Sequence, residues 1–553
     1  MRKQLSWAGL LIGCVGCVII TASSVYTALK MGALPWPTIF TSITALVLLR
    51  ALGRTSLNEV NITQVIMSAG SMVAGGLAFT IPGIWMLGGE VSLAETLGVA
   101  LAGTLLGLVA TALIRRRFVD ESDLEYPIGI AAAETLKASR DGGKTGVRLF
   151  GSMGLAGLWC VARDVLGIIP TMLLQLPIPG VSFGIYNSPM LLSVGFLLGG
   201  APAIFWIVGA VLGNLGIPVV SSALGVFDTA TAQGVVSSLG MGLMMGSGVG
   251  VVVRDILPQG VSLFRANKAG ESTVAGSSAV GSPAAGETSA SSRLLSRFDA
   301  GALGLIAAAA ALVICLVLGI PVLATLVILV LAFVTAIMSA QSVGSTGIDP
   351  MEIFGLIVLL VVAAVSPGIP QVKLFFVAGV VAVACGLAGD VMSDFKTGAI
   401  IGTSPRAMWC GQAVGALLGT VVATVVMSAL VGAYGIDAFG PGKEFVSAQA
   451  SVVATMISGI PNMPAFIGGL AAGVVLHCLR VPAMMIGLGV YLPFYMSLSA
   501  ALGAAVHAIY MRATAGKVNA DEAGTLVASG ILGGESIVGV VIALMSVISG
   551  LGV

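Results

Sequence analysis

Long apolar stretches alternate with short polar connections along the whole chain. Apolar runs of roughly 20 residues, the helix length that crosses ~30 Å of hydrocarbon, recur from end to end. These runs are rich in Gly, Ala, Val and Leu and lack the strict alternation of a membrane-spanning strand, so they predict helices. The expected fold is therefore all-α, a polytopic membrane protein with about 14–16 transmembrane helices. The predicted spans are 5–29, 33–52, 62–87, 92–114, 147–170, 189–201, 203–222 and 231–252, with about eight more between 299 and 550.

Composition supports the lipid bilayer as the solvent of this chain. Of the 553 residues, 57% are hydrophobic and 9% are charged, and the mean hydropathy is +1.08. A water-soluble protein of this length could not cover its surface with so few polar side chains. The net charge of +1 offers neither a basic surface nor an acidic tail, so nucleic acid is not an expected partner.

The distribution of Lys and Arg predicts the orientation in the membrane. Positive residues cluster after the second and fourth predicted spans and around the central loop, whereas the loops 88–90 and 175–188 contain none. Because cytoplasmic loops carry the excess of positive charge, the N-terminus and the central loop are expected in the cytoplasm. The predicted location is the cell membrane, inner or plasma, with multiple crossings.

The central loop divides the chain nearly in two. It includes the run "AGESTVAGSSAVGSPAAGETSASS", whose Ser, Gly and Ala content is typical of a flexible linker. The predicted organisation is a first transmembrane repeat, 1–260, a cytoplasmic linker, 261–298, and a second repeat, 299–553. Pairs of similar segments recur in the same order in both halves, for example "PMLLSVGF" with "AMMIGLGV" and "SSLGMGLMMG" with "VASGILGGES". The segments 126–139 and 397–405 are short enough to be re-entrant or broken helices.

The segment "NEVNITQ" places two amides at the mouth of a predicted span. Asn61 and Gln64 lie one turn apart on the same helix face, where they could hydrogen-bond a polar solute. Helix capping and hydrogen bonds between helices explain the same residues equally well, so both interpretations stay open.

Two carboxylates are candidates for proton coupling. Glu134 lies in the short apolar run "LEYPIGIAAAETLKA", and an acidic side chain there is a functional hypothesis if the segment dips into the membrane. On a cytoplasmic surface helix the same residue would only be solvated. Glu535 lies in the apolar run "ASGILGGESIVGV", where the competing interpretation is a helix start after the Gly-Gly pair. Tyr126, in the Glu134 segment, is a candidate substrate contact.

The segment "DVMSDFKTGAIIGTSPRAMWCGQAVG" is the most informative in the chain, because four charged residues bracket a glycine-rich run between long apolar spans. Its glycines and Pro405 predict a helix break, and broken helices in membranes mark transporter binding sites. The alternative is a cytoplasmic hairpin whose basic residues obey the positive-inside rule. The candidate substrate contacts in this segment are Asp394, Lys396, Arg406 and Gln412.

Six segments distributed over nearly the whole chain form a distinctive set: "YTALKMGALPW", "NITQVIMSAGSMVAGGLAFTIPG", "LEYPIGIAAAETLKA", "DFKTGAIIGTSPRAMWCGQAVG", "GVYLPFYMSLSAALG" and "ASGILGGES". They resemble the oligopeptide transporter (OPT) family, and its bacterial and yellow-stripe-like branch more than its fungal peptide branch. The resemblance implies a proton-coupled importer of about 14–16 helices that carries small peptides or metal complexes of amino-acid-like chelators. The motifs Asn-Pro-Gly and Lys-Ile-Pro-Pro-Arg of the peptide branch are missing, which puts a peptide substrate in doubt.

The predicted function is an ion-gradient-driven secondary transporter that works by alternating access, because the sequence contains no nucleotide-binding motif that could drive accumulation. Its partners would be a peptide or small-molecule substrate, protons or another coupling cation, and lipid; a homodimer is left open. A channel and a membrane-embedded enzyme are the alternatives. Since the chain has only two histidines and no Ser/His/Asp or zinc motif, no catalytic residue, metal site or cofactor is expected.

Overall fold

The computed structural model of the chain describes most of its length. The described residues are 4–31, 37–54, 56–122, 124, 126–138, 145–178, 181–225, 228–251, 253–254, 297–346, 349–458, 461–515 and 520–550. The predicted linker 261–298 therefore lies, apart from its last two residues, outside the described part.

Helices form nearly all of the described part of the first half. The helices are α1 (Trp7–Met31), α2 (Pro37–Ala51), α3 (Leu57–Ala78), α4 (Pro82–Met86), α5 (Leu93–Arg115), α6 (Pro127–Ala138), α7 (Thr145–Cys160), α8 (Pro189–Leu198), α9 (Gly200–Ala210), α10 (Ile217–Leu224) and α11 (Thr229–Val251). Wider π-helical turns extend α5 to Asp120 and α7 to Val165, and join α9 to α10. One antiparallel hairpin, β1 (Met172–Ile178) with β2 (Val181–Tyr186), follows α7.

The second half is also helical. Its helices are α12 (Arg297–Leu316), α13 (Val322–Thr346), α14 (Met351–Val365), α15 (Gln371–Ile401), α16 (Pro405–Tyr434), α17 (Ala448–Ser458), α18 (Met463–Cys478), α19 (Ala483–Tyr491), α20 (Phe494–Ala513) and α21 (Ala520–Gly550).

Length and hydropathy confirm the prediction of an all-α polytopic membrane protein. Among the described residues, nine helical segments are long and apolar enough to cross a membrane, and six further apolar helices are shorter. The peripheral helices expose large apolar side chains, such as Leu326 and Val330 on α13. Exposed apolar rows of this kind suit lipid rather than water.

The centre of the bundle consists of α3, α15 and α16. The span that begins with α3 contains an 18-residue apolar window whose residues are all buried, which is the pattern of a helix surrounded by other helices. Small residues let these helices approach closely. At the crossing of α3 and α16, a Cβ on Gly419 would lie 2.3 Å from the Cα of Gly70, so the two backbones are in contact.

The predicted break in the glycine-rich segment is confined to a three-residue turn. Gly398 stays helical, and α15 continues to Ile401. Gly402 then takes φ = 88°, a left-handed conformation that ends helices, and its N–H donates to the carbonyl of Gly398. Pro405 opens α16 at a position where a missing N–H costs nothing. Asp394 and Lys396 therefore lie inside a regular helix.

One pair of segments that are similar in the two halves lies in two helices of nearly the same length. "PMLLSVGF" forms α8 and "AMMIGLGV" forms α19, both short helices that end just before another helix begins. Each packs against a long helix near the end of the opposite half, α8 against α21 and α19 against α11. The division into two repeats stays a prediction.

Candidate functional site

A first group of buried polar residues lies between α3 and α15 and is called here the α3–α15 cluster: Asn61, Gln64, Ser68 and Asp394. The three α3 residues recur at intervals of three and four, so they share the face that packs on α15. Gln64 Nε2 lies 2.7 Å from Asp394 Oδ1, and Ser68 Oγ lies 2.5 Å from Asp394 Oδ2. Asp394 is only 1% exposed. Both carboxylate oxygens thus accept hydrogen bonds from uncharged donors.

The amides of this cluster keep acceptor capacity. Asn61 Nδ2 donates to Thr403 Oγ1 at 3.4 Å, which links α3 to the turn before α16. Within the described part of the chain, Asn61 Oδ1 and Gln64 Oε1 are buried without a hydrogen-bond partner. Buried polar atoms normally have a partner, because an unsatisfied one costs roughly 1–3 kcal/mol. The amides therefore form hydrogen bonds between helices, which was one of their two interpretations. Their two oxygens remain available to a solute or to water.

Lys396 and Tyr126 hold the segment before α6 in place. Lys396 Nζ donates to the carbonyl of Leu124 at 2.9 Å. Tyr126 is fully buried, and its hydroxyl donates to the carbonyl of Ala340 on α13 at 3.1 Å. In this conformation both candidate substrate contacts therefore position the Glu134 segment. Glu134 itself lies in α6, but its side chain is outside the described part of the structure.

The remaining candidates of the glycine-rich segment lie apart from the cluster. Gln412 is buried on α16, where its Nε2 donates to the carbonyl of Leu387 at 2.8 Å and to Thr111 Oγ1 at 3.2 Å. Arg406 is exposed in the first turn of α16. The structure thus brings Asn61, Gln64 and Asp394 together and leaves these two elsewhere.

Further carboxylates beside Asp394 were not identified as a group from the sequence. Asp390 lies one turn before Asp394 on α15. Asp349 and Glu352, at the start of α14, lie close enough to Asp390 for their charges to interact with it. Ser339 Oγ donates to Asp349 Oδ1 at 2.7 Å, and within the described residues Asp349 Oδ2 is buried without a partner. The feature that could have revealed them is a set of acidic residues at the ends of apolar spans.

Glu535 is the centre of a second polar group. It is 1% exposed on α21, and Arg163 Nη2 donates to its Oε1 at 3.0 Å. Ser188 Oγ lies 3.0 Å from both carboxylate oxygens, and the backbone N–H of Met190 donates to Oε2 at 2.7 Å. A carboxylate at the N-terminus of α8 is stabilised by the helix dipole and by these donors. Arg163 also pairs with Asp164 at 2.6 Å, a pairing expected from their adjacency.

A second buried cation lies close to this group. Lys30, in the last turn of α1, is 2% exposed and forms an ion pair with Glu444 at 2.5 Å. The ring of Tyr186 separates the two cations, 5.5 Å from Lys30 Nζ and 5.8 Å from Arg163 Cζ, within the range of a cation–π interaction. These five residues, Lys30, Arg163, Tyr186, Glu444 and Glu535, are called here the Lys30–Arg163 cluster. Sequence analysis identified Glu535 but missed Lys30 and Glu444, which lie 414 positions apart.

A cavity of about 410 Å³ lies between α1, α2, α7 and α21, beside this second cluster. Its lining is nearly all apolar, and the exposed side chains of Leu11, Val15 and Ile19 lie on its α1 side. Thr27 reaches from its wall to Ser536, the neighbour of Glu535, at 2.8 Å. Such a lining suits an acyl chain better than a polar solute.

Comparison with known proteins identifies the family of this chain. The family model of the OPT oligopeptide transporter protein matches residues 4–546. The chain belongs to the OPT oligopeptide transporter family. A Haemophilus influenzae protein named "Putative oligopeptide transporter" is 24% identical over 94% of this chain and 92% of its own length. This OPT-family chain is also 28% identical, over 28% of its length and 24% of the relative, to a "Probable metal-nicotianamine transporter" of Oryza sativa subsp. japonica. The family confirms the resemblance stated from the sequence motifs.

Proposed function

We propose that this OPT-family protein is a secondary transporter that imports small peptides or metal–chelate complexes by alternating access, driven by protons moving down their gradient. The observation that carries the proposal is Asp394, a carboxylate buried in the central helices and bonded by the uncharged donors Gln64 and Ser68. The names of the relatives support the two substrate classes. Neither class follows from the geometry of the cluster alone.

The environment of Asp394 suits a site that binds and releases a cation. An ionised carboxylate among membrane helices costs several kcal/mol unless its charge is balanced, and a bound proton removes that charge. Asp390 lies close enough to Asp394 and to the carboxylates at the start of α14 for like charges to repel one another, and a bound proton or other cation relieves that repulsion. We assign the coupling role to this group first, with protons as the coupling ion.

Glu535 and Glu134 remain in the proposal with different roles. A proton that bound Glu535 would weaken its ion pair with Arg163 and so loosen α21 from the turn that extends α7. Protonation there would act on the conformational equilibrium rather than on the substrate. Glu134, on α6, is retained as a second coupling candidate from its position in the sequence.

The substrate contacts follow from the same geometry. Asn61 and Gln64 present unsatisfied acceptors beside Asp394, so they are assigned to a donor group of the solute. Tyr126, Lys396, Arg406 and Gln412 would reach substrate in the other conformation of the cycle, after the exchange of their present partners. Lys396 and Tyr126 release the Glu134 segment in that exchange, which couples substrate contact to movement of α6.

The orientation is proposed from charge. Arg115, Arg116 and Arg117 lie at the end of α5, and the loops at its opposite end carry no positive residue. With these arginines in the cytoplasm, the N-terminus is also cytoplasmic, and the hairpin β1–β2 faces outside.

Uptake into proteoliposomes tests the proposal. Labelled peptides and Ni²⁺–nicotianamine are supplied with and without an inward proton gradient, and again after a protonophore. We expect accumulation only with the gradient, and stimulation of exchange by unlabelled solute inside, which a channel does not show. Asp394→Asn should abolish the response to the gradient, whereas the exposed Asp437→Asn should not. Gradient-driven uptake that survives Asp394→Asn, Glu134→Gln and Glu535→Gln would refute proton coupling through these residues.

A further inference from the structure

We infer that Lys30 is the residue that recognises a carboxylate of the transported solute, and that Glu444 occupies this position in the conformation observed here. The inference rests on the proposed transport function and names the chemistry of its substrate. That chemistry is an anionic carboxylate, from the C-terminus of a small peptide or from an amino-acid-like metal chelator.

The first argument is the contrast in burial between the two partners of this ion pair. The Lys30 side chain is 3% exposed, whereas that of Glu444 is 48% exposed. A buried ammonium group needs a counter-charge, because an unpaired one is strongly destabilising. Glu444 can leave without becoming buried and unpaired, since water already reaches half of its side chain. If another carboxylate replaces Glu444, the positive charge of Lys30 therefore again has a negative partner.

The second argument is the difference between the two cations of the cluster. Arg163 is in contact with two carboxylates, those of Asp164 and Glu535. Its charge is compensated within the protein whether or not Glu444 is present. Among the described residues, the carboxylate in contact with Lys30 is that of Glu444. An incoming carboxylate thus fits Lys30, while Arg163 positions Tyr186 and Glu535.

The loop that carries Glu444 is anchored so that the exchange needs little movement of the rest. The N–H of Ser447 donates to the carbonyl of Leu29 at 2.8 Å, which ties the loop to the last turn of α1. Phe445 is fully buried and packs edge-on against Tyr26, with ring centroids 5.7 Å apart. Glu444 lies just before these anchors, at the exposed side. Its side chain can therefore rotate away while the loop stays attached.

Aromatic rings surround Lys30 and offer a surface for the remainder of a solute. Lys30 Nζ lies 5.6 Å from the ring centre of Tyr26 and 5.5 Å from that of Tyr186. Tyr186 in turn packs against Tyr495 at 5.7 Å. Tyrosines provide rigid apolar area with a polar end, which suits a small amphipathic ligand better than an inorganic anion. In the proposed orientation this end of α1 faces outside, where an imported solute arrives.

Binding to purified full-length protein tests the inference independently of proton coupling. The probes are trialanine, trialanine amide and Ni²⁺–nicotianamine, and the readout is calorimetric or thermal-shift affinity in detergent. We expect wild type to bind trialanine at least about tenfold more tightly than the amide, because a charge-assisted hydrogen bond is lost with the carboxylate. Lys30→Gln should remove that preference, Lys30→Arg should retain most of it, and Glu444→Gln should tighten binding of the acid several-fold by removing the competitor.

Lys443→Gln is the matched control, since it deletes a positive charge one residue from Glu444 on the exposed side of the same loop. It should leave all affinities within about twofold, as expected for a screened surface charge. A Lys30-dependent preference for trialanine assigns the carboxylate to peptides, and Lys30-dependent binding of Ni²⁺–nicotianamine assigns it to chelators. If Lys30→Gln weakens binding in neither arm, or wild type binds no probe, the inference is wrong. Lys30-dependent binding without gradient-driven uptake would instead refute the proposed coupling alone.

Discussion

The two buried polar clusters balance charge by different means. In the α3–α15 cluster a carboxylate accepts hydrogen bonds from Gln64 and Ser68, which carry no charge. In the Lys30–Arg163 cluster each carboxylate faces a cation, and an aromatic ring lies between the two cations. We propose that the first arrangement serves a coupling proton and that the second serves a carboxylate of the solute, which takes the place of Glu444 beside Lys30.

In the proposed mechanism, the α3–α15 cluster serves ion coupling and a donor group of the solute, whereas the Lys30–Arg163 cluster serves the carboxylate of the solute. Asp394 lies near the end of α15 that turns into α16, whereas Lys30 lies at the end of α1 farthest from the N-terminus. A transporter needs both functions to bias one conformational equilibrium, and the helices α3, α16 and α21, which pack on α1, connect the clusters. The predictions below test whether the two clusters differ in the way described.

The largest expected effect is the loss of the buried guanidinium of the second cluster. Arg163→Met leaves Glu535 buried without its cation, which should lower the free energy of unfolding by about 3–5 kcal/mol. Denaturation in detergent micelles, followed by circular dichroism, measures it. Arg116→Met is the control, because Arg116 and Glu121 form an exposed pair, 62% and 50% exposed, that should contribute under about 1 kcal/mol. The double variant Arg163→Met/Glu535→Gln should recover part of the loss; equal losses for single and double variants would contradict the pairing.

The crossing of α3 and α16 should depend instead on close backbone packing. Gly419→Ala places a methyl group 2.3 Å from the Cα of Gly70, where no side chain can rotate away, and should cost about 1–3 kcal/mol of unfolding free energy. Gly468→Ala, on α18 with nothing within 4 Å of the new methyl, should be neutral or stabilising through helix propensity. If both variants lower the free energy of unfolding by a similar amount, the close contact between Gly419 and Gly70 does not explain the loss.

Removing the charge of Asp394 should act on transport more than on stability. Asp394→Asn keeps the shape and one of the two acceptor oxygens but cannot carry a proton, so gradient-driven uptake should fall about tenfold or more. Solute exchange at equal pH on both sides should continue. Parallel measurements of the two modes in proteoliposomes check this, and a matching fall in both modes would assign Asp394 to substrate binding instead.

The smallest expected effect concerns the hydroxyl beside Asp394. Ser68→Ala removes one hydrogen bond to the buried carboxylate and should cost about 1 kcal/mol of unfolding free energy. Ser237→Ala is the control, because that hydroxyl donates to carbonyls of its own helix, those of Gln233 and Gly234, and it should change stability by less than about 0.5 kcal/mol. Indistinguishable denaturation midpoints for the two variants would mean that Ser68 does not stabilise Asp394.

Much of the candidate site was recognisable from the sequence, because a charged residue within an apolar run is costly in lipid wherever its partners lie. Asp394 and Glu535 were selected on that ground, and both are buried. The partners could not be selected in the same way. Arg163 and Glu535 are 372 positions apart, and only the packing of α21 against α7 brings them together. Arg406 shows the converse, because a basic residue in a promising segment proved to be exposed.

The sequence by itself determined that this protein is an all-α membrane protein, because a helix satisfies its backbone hydrogen bonds within one segment and needs no distant partner in lipid. The tertiary structure alone decided where the chain turns after α15. Gly398 and Gly402 are alike in the sequence, yet Gly398 stays helical and packs against the side chain of Met408, whereas Gly402 takes φ = 88°, a conformation that favours glycine. The tertiary structure alone also placed Glu444 against Lys30, because an ion pair across 414 residues depends on how the helices pack and not on any local pattern.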